Sequence, residues 1–374
     1  MKNIDKRIAF CTLAFLLPLL AATTVAEQLA GRELVDARVY GSWWFVIAWA
    51  VSGAAALAYM LRVSFYRRRV LFLFHVALLL VLVGAGVTRV AAERGSVHLR
   101  QGAVAGAYFL EEGDARALPF TIKLLLFDIE YSPATGSPVD YHAYLQLDGQ
   151  TCRAAMNAPV ARDGYRLYIH DHDLDEMGVA LLVNRDPWGG GVTRVAYILL
   201  GLAICALACR QRVMLYALLP LAVAWTCIAR LDVETPVLRT PFLAVHVSLF
   251  VVAYLLLAVI FFIALVALAR PGLRERLHRF SARLLLPAVL FMVAGIFTGA
   301  AWAGISWGRY WGWDAKETWA LVTLLLYAFP LHSRVLPFFR SPSRYHLYCA
   351  IVFLAVLMTS IGVTFFLGGL HAYI

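Results

Sequence analysis

The chain has 374 residues, 62% of them hydrophobic and only 15% charged, which is too apolar for an ordinary soluble domain and typical of a multi-span membrane protein. Its formal net charge of +10 invites a nucleic-acid partner, but the placement of the charge excludes one. Arginine and lysine gather in short tracts beside apolar runs: Lys2/Lys6/Arg7, Arg62/Arg67/Arg68/Arg69, Arg210/Arg212, Arg270/Arg274/Arg276/Arg279/Arg283 and Arg334/Arg340/Arg344. Such tracts orient helices in a bilayer and need no polyanion.

In chain order, the N-terminus is a basic start followed by an apolar run without a clear small-residue cleavage site, which predicts a retained first helix. Nine runs reach the length of about 20 residues that crosses a bilayer. They fall at 8–26, 43–62, 70–90, 192–209, 213–230, 242–269, 284–301, 319–339 and 346–367. With the N-terminus cytoplasmic, all the basic tracts land on the cytoplasmic side. Residues 91–187 then face the other compartment. Alternation predicts strands at 120–131, 141–147, 165–169 and 179–183, with a turn-forming Ser-Pro-Ala-Thr-Gly-Ser-Pro after the first. The expected fold class is thus an all-α polytopic membrane protein of about nine transmembrane helices with a small β-rich extracytoplasmic domain.

Six cysteines are present, and five (Cys11, Cys205, Cys209, Cys227 and Cys349) sit in apolar spans. Cys152 alone lies in the polar segment, which therefore closes no internal disulfide. The absence of Cys-x-x-Cys argues against a thiol oxidoreductase. Gly189-Gly-Gly reads as a linker into the fourth span rather than a phosphate-binding loop.

The topology sorts the histidines by depth. His75 lies six residues past Arg69, which puts it roughly 9 Å into the third span from the inside. His332, two residues before Arg334, is near the inner end of the eighth span. His246 enters the sixth span from the outside, and His371 follows the last span, also outside. These make an inner pair (His75, His332) and an outer pair (His246, His371), each from different helices, as two axial ligands of one haem iron must be. A histidine inside a bilayer also serves as a helix-interface hydrogen-bonding group, so ligation is one of two readings. His98, His142, His278 and His346 read as surface residues. His170-Asp171-His172-Asp173, extended by Asp175 and Glu176, has metal-binding composition but reads as a polar loop.

Five of the ten tryptophans fall between Trp302 and Trp319, on the outer pair's side. A belt of interfacial aromatics is the plain explanation. The density of this run, with Gly304, Gly308 and Gly312 interleaved, suits instead a flat aromatic surface that a planar ligand such as haem approaches closely. Asp314, Lys316 and Glu317 either hydrate the loop or cap the following helix.

The run Trp307-Gly-Arg-Tyr-Trp311-Gly-Trp313-Asp314-Ala-Lys316-Glu317-Thr-Trp319 resembles the WWD signature of the haem-handling proteins of cytochrome c biogenesis, above all the CcsA/ResC branch of the Ccs (System II) pathway. Thr235-Pro-Val-Leu-Arg-Thr-Pro-Phe-Leu-Ala-Val-His246 is similar to that branch's first external histidine segment. Leu331-His332-Ser-Arg334 is similar to its intramembrane histidine, and Gly368-Gly-Leu-His371-Ala-Tyr to its second external one. The N-terminal part resembles the CcsB/ResB partner. Ser42-Trp-Trp-Phe45 opens the second span, His75 occupies the intramembrane histidine position, and Leu118-Pro-Phe120 and Phe127-x-x-Glu130-Tyr131 echo the external domain. Two positions depart from the pattern: Thr364 stands where the family usually has Asn, and Ala315 where it usually has Pro.

The resemblance implies a fused CcsBA-type cytochrome c synthetase in a bacterial cytoplasmic membrane, with its C-terminus outside. Residues 1–90 would be ResB-like helices, 91–187 the external domain, 188–230 two connecting helices and 231–374 the haem-handling part. It implies holocytochrome c synthase (haem lyase) activity, with haem b passed outward and joined to Cys-x-x-Cys-His motifs of an apocytochrome c. His75 and His332 would ligate it inside, and His246 and His371 outside. Trp307, Arg309, Trp311, Trp313, Asp314, Lys316 and Glu317 would be its tryptophan-loop contacts, with Arg309 or Lys316 beside a propionate. The implied partners are haem, the apocytochrome, the lipid bilayer and, as an open question, a thiol-reductant protein; no nucleic acid and no metal beyond haem iron are implied. A haem exporter or chaperone without ligation is the competing reading, and a quinone- or metal-linked membrane subunit the third.

Overall fold

A computed structural model describes residues 4–110, 113–133, 136–211, 223 and 240–367. Its helices are α1 (Ile4–Ala30), α2 (Arg32–Val35), α3 (Trp43–Arg62), α4 (Arg69–Ala91), α5 (Gly189–Ala208), α6 (Pro241–Ala269), α7 (Arg274–Ser306), α8 (Ala315–Leu331) and α9 (Pro342–Leu357), the last continuing in wider π-type turns over Met358–Leu367. Between α4 and α5 lie strands β1 (Glu93–Arg100), β2 (Val104–Leu110), β3 (Ala115–Tyr131), β4 (Pro138–Leu147), β5 (Gln150–Ala155), β6 (Val160–Arg162), β7 (Tyr165–His172) and β8 (Gly178–Arg185).

These elements correct the expected fold class. The chain is not all-α with a small β appendage. Its polar segment is one eight-stranded sheet in the order β5-β4-β3-β2-β1-β8-β7-β6, every pairing antiparallel. The expected strands fall within β3, β4, β7 and β8. The missed ones, such as β1 with its sequence Glu-Arg-Gly-Ser-Val-His-Leu-Arg, bury alternate small or single apolar residues and leave charges between them, so hydropathy alone does not flag them. Among the described residues seven helices, not nine, are long and apolar enough to span a membrane. The run at 213–230 lies outside the described residues. The run at 319–339 stops early: α8 ends at Leu331, one residue past Pro330, which weakens its last turn, and Pro337 opens a separate short helical turn.

Three apolar clusters hold the molecule together. The largest joins α4 to α9 around α7, which from Leu284 to Gly304 is buried on nearly all sides, as expected for a stretch that is apolar all round. A second fills one face of the sheet, drawing Leu99, Ile122, Leu145, Leu167 and Leu181 from five strands. The third packs α1 and α3 against Trp313, Trp319 and Val322.

The helix termini sort into two ends. At one, Arg62 pairs with Asp5 (Nη2 to Oδ1, 2.5 Å), so α3 finishes beside the start of α1. Arg274, at the start of α7, donates to Ser343 at the start of α9 (2.8 Å). Arg62 and Arg274, from two of the arginine tracts, are thus anchored at helix ends. The sheet, the α7–α8 loop and the first turn of α6 occupy the opposite end.

Candidate haem-handling site

At the arginine end His75 on α4 and His332, which caps α8, face each other with ring centres 6.1 Å apart and planes at 88°. Phe65 and Phe74 flank His75, and Phe10 of α1 meets His332 edge-on at 6.2 Å. Each imidazole points Nδ1 at the carbonyl one turn back: His75 to Leu71 (2.7 Å), His332 to Ala328 (2.8 Å). A carbonyl only accepts, so Nδ1 must carry the proton in both rings, leaving the lone pair on Nε2. With a metal–nitrogen bond of about 2 Å on each side, two axial imidazoles stand about 6 Å apart between ring centres. The donor set, its tautomers and its spacing fit a metal-bearing ring held between two helices.

At the sheet end His246, in the second turn of α6, directs Nδ1 to the Gly295 carbonyl (2.8 Å), which selects the same tautomer. Its ring lies over Gly299 of α7, where any Cβ would collide with the imidazole. His371 and the 235–239 part of the His246 segment lie outside the described residues, so the outer pair is seen through one member only.

The tryptophan loop connects α7 to α8. Its rings do not form one flat surface. Trp302 and Trp307 meet at 62°, and Trp311 and Trp313 at 83°. Trp313 adopts a left-handed backbone (φ 55°) and is packed by the N-terminal helices: Tyr40 stacks on it at 5.1 Å, with Phe45 and Trp49 at its edges. Arg32 donates to the carbonyls of Gly312 and Trp313. The indole N–H groups of Trp302 and Trp311 are buried without an acceptor among the described residues.

The charged loop residues divide by role. Asp314, 2% exposed, and Glu317 form a reciprocal capping box on α8: Asp314 accepts from the Lys316 amide (2.9 Å), while Glu317 accepts from the amides of Asp314 (3.3 Å) and Gly312 (2.8 Å). Of the two readings of these acids, the capping one has these bonds behind it. Lys316 donates to Thr364 (3.1 Å). Arg309 makes no ion pair with a described residue; its guanidinium lies over the Gly312 backbone.

The remaining histidines differ in part from expectation. His98 is exposed and pairs with Asp173 (2.8 Å). His142 is buried on β4 near Glu130 and Asp140, and His346 is fully buried at the start of α9, so neither is a surface residue. His278 is half-buried, stacked on Tyr345 at 4.6 Å. His170-Asp171-His172 closes β7 rather than forming a loop, with His172 lying along Phe127 and Tyr141. Arg32, Tyr40, Tyr168 and Asn184 also hold the tryptophan loop and carry no motif in the sequence. Their partners in that loop lie more than a hundred residues away, so no local signal marks them.

Seven helices long and apolar enough to span a membrane, joined to an eight-stranded antiparallel sheet, define a multi-pass membrane protein with a β domain. Comparison with known proteins gives the family. Residues 64–201 match the ResB-like family and residues 193–371 match the Cytochrome C assembly protein family. Taken together the two matches run from residue 64 to residue 371, and they support a fused ResB/CcsA-type cytochrome c biogenesis protein. Among its relatives, Protein NrfI of Wolinella succinogenes is 39% identical over 154 residues, covering 37% of this chain and 16% of that protein. Cytochrome c biogenesis protein CcsA of Gloeobacter violaceus is 40% identical over 107 residues, covering 29% of this chain and 31% of that one. CcsA of Oenothera argillicola is 38% identical over 104 residues, covering 28% and 32%. The chain thus spans less than a third of the length of each of these relatives.

Proposed function

We propose that this protein takes haem b at the cytoplasmic face of a bacterial inner membrane, passes it outward, and promotes its thioether attachment to the Cys-x-x-Cys-His motif of an apocytochrome c. The observation that carries the reading is the His75–His332 pair: two imidazoles of one tautomer, 6.1 Å apart, at the end where Arg62 and Arg274 are anchored. By the positive-inside rule that end is cytoplasmic, which makes the sheet and the C-terminus extracytoplasmic. Residues 1–90 with the sheet would then form the ResB-like half, and 231–374 the haem-handling half.

Haem is the cargo and supplies the vinyl groups. His75 and His332 hold it inside; His246, with its lone pair directed away from Gly295, and His371 hold it outside. Each thiol S–H adds across a vinyl double bond, so nothing leaves. The protein's share of such an addition is positioning, which suits a loop whose backbone is fixed by distant elements. Arg309 supplies a guanidinium for a propionate. A thiol-reductant protein would keep the acceptor cysteines reduced before the addition.

The test is an absorption spectrum of the detergent-purified protein beside His75→Ala and His332→Ala, followed by covalent cytochrome c yield in a host lacking its own system. Low-spin haem that falls in the variants, and covalent product lost in His246→Ala and His371→Ala, is the expected result. Haem binding with full covalent yield in the last two variants would sink the synthetase reading and leave an exporter or chaperone. A colourless protein from haem-replete cells would remove haem altogether.

A further inference from the structure

Although the tryptophan loop joins two helices of the bundle, its first half is held by the sheet. Asn184 on β8 donates from Nδ2 to the Gly308 carbonyl at 2.6 Å. Tyr168 on β7 donates its hydroxyl to the Gly304 carbonyl at 3.4 Å, and Ser306 donates to Asn157 at 2.7 Å. Gly308 has φ 72°, and a Cβ there would come within 2.8 Å of the Tyr168 ring, so both backbone conformation and space require glycine.

Strand periodicity makes these contacts informative. Leu167 and Ile169 face the sheet's own core, as do Leu181 and Val183. Tyr168 and Asn184 therefore point to the opposite face, which in a sheet packed on one side faces water. Here they are 3% and 9% exposed, because the loop covers them. The loop's second half is held separately, by Arg32 and Tyr40. Arg309 and Trp311 stand between the two clamps.

The geometry points to a positioning role for the outward face of β7 and β8: Asn184 and Tyr168 fix the Trp307–Gly308 turn and so set where Arg309 and Trp311 stand relative to His246. This rests on the haem reading above for what the loop is positioned to hold. It gives the external sheet a task in haem handling that does not require it to bind the apocytochrome.

Two conservative variants in the full-length, detergent-purified protein test it. Asn184→Asp keeps the shape and removes the donor, and Tyr168→Phe keeps the ring that packs on Gly308. Amide hydrogen exchange over residues 304–314 is measured by mass spectrometry without added haem. The haem spectrum is then recorded for the same variants in a His75→Ala background, which isolates the outer site. Exchange should rise about fivefold in Asn184→Asp, the order a lost hydrogen bond gives, and less in Tyr168→Phe, with strands β3 and β4 unchanged. The outer-site haem should lose its low-spin band in step. Unchanged exchange in Asn184→Asp overturns the clamp. Faster exchange with an unaltered haem spectrum overturns its role in haem positioning. If His75→Ala with Asn184 intact is itself colourless, the outer-site haem reading falls, while exchange still decides whether the sheet holds the loop.

Discussion

Tyr40 lies flat on Trp313, with ring centres 5.1 Å apart and planes within 7° of each other. The pair joins the N-terminal helices to a loop 273 positions further along the chain, and it occupies one face of a tryptophan that sequence assigned to haem. The Tyr40 hydroxyl donates to Thr23 of α1 (2.8 Å), which fixes the ring against rotation. Tyr40→Phe should keep the stack and cost about 1 kcal/mol for the lost hydrogen bond. Tyr40→Ala should cost about 3 kcal/mol or more through the cavity left under Trp313. Thermal unfolding in detergent checks the order; equal losses would mean that the stack adds nothing beyond the hydroxyl.

The Gly299–His246 contact gives a sharper handle on the outer site. Because a Cβ at residue 299 runs into the imidazole, Gly299→Ala should displace the ring and break its bond to the Gly295 carbonyl. Haem held through His246 should fall severalfold, while the inner pair on α4 and α8 keeps its haem. Titrating haem into Gly299→Ala and His332→Ala proteins measures each site apart. Full outer-site binding in Gly299→Ala would mean that His246 does not need this seat.

Asp314 separates a capping role from a charge role. Its carboxylate accepts from the Lys316 amide at the first turn of α8. Asn caps nearly as well as Asp, whereas Ala removes the acceptor and costs about 1 kcal/mol. Asp314→Asn should therefore keep both stability and haem, and Asp314→Ala should lose some of each. A loss of haem in Asp314→Asn with the melting temperature unchanged would instead assign the negative charge a direct part.

Cys152 supplies the pH prediction. Burial in the sheet pushes its thiol above the ordinary value of 9.0, and Sγ donates to the Leu145 carbonyl at 3.6 Å. The folded state thus favours the neutral thiol, a contribution present below the unfolded pKa and lost as pH rises through the folded one. Iodoacetamide at pH 8 should label Cys152 more slowly in the native protein than in the denatured one, and the native rate should go on climbing with pH after the denatured rate has levelled off. Peptide mass spectrometry follows this one residue. Equal native and denatured rates would show the thiol is not protected.

Much of this was legible along the chain. The apolar runs and basic tracts follow from local composition, because a bilayer sorts residues one by one by hydropathy and charge. The WWD run and the histidine segments carried the family because they are contiguous. The β segment is legible, but half its strands are not: β1 interleaves charged residues with small or single apolar ones, and β5 (Gln-Thr-Cys-Arg-Ala-Ala) lacks apolar alternation, so the burial of both depends on a partner strand. The end of α8 was placed too far because hydropathy runs on through Val335 and Phe338, although the helix ends one residue past Pro330.

Sequence by itself determined that this chain is a multi-pass membrane protein and carries a polar β segment. Only the tertiary structure decided that His75 and His332 meet at 6.1 Å, that Trp313 is stacked under Tyr40, and that Asn184 holds Gly308. The physical reason is separation. Hydropathy and helix stop signals act within a few residues, whereas each of these contacts joins positions more than a hundred apart. Such contacts form only once helices and sheet have packed and excluded the alternatives.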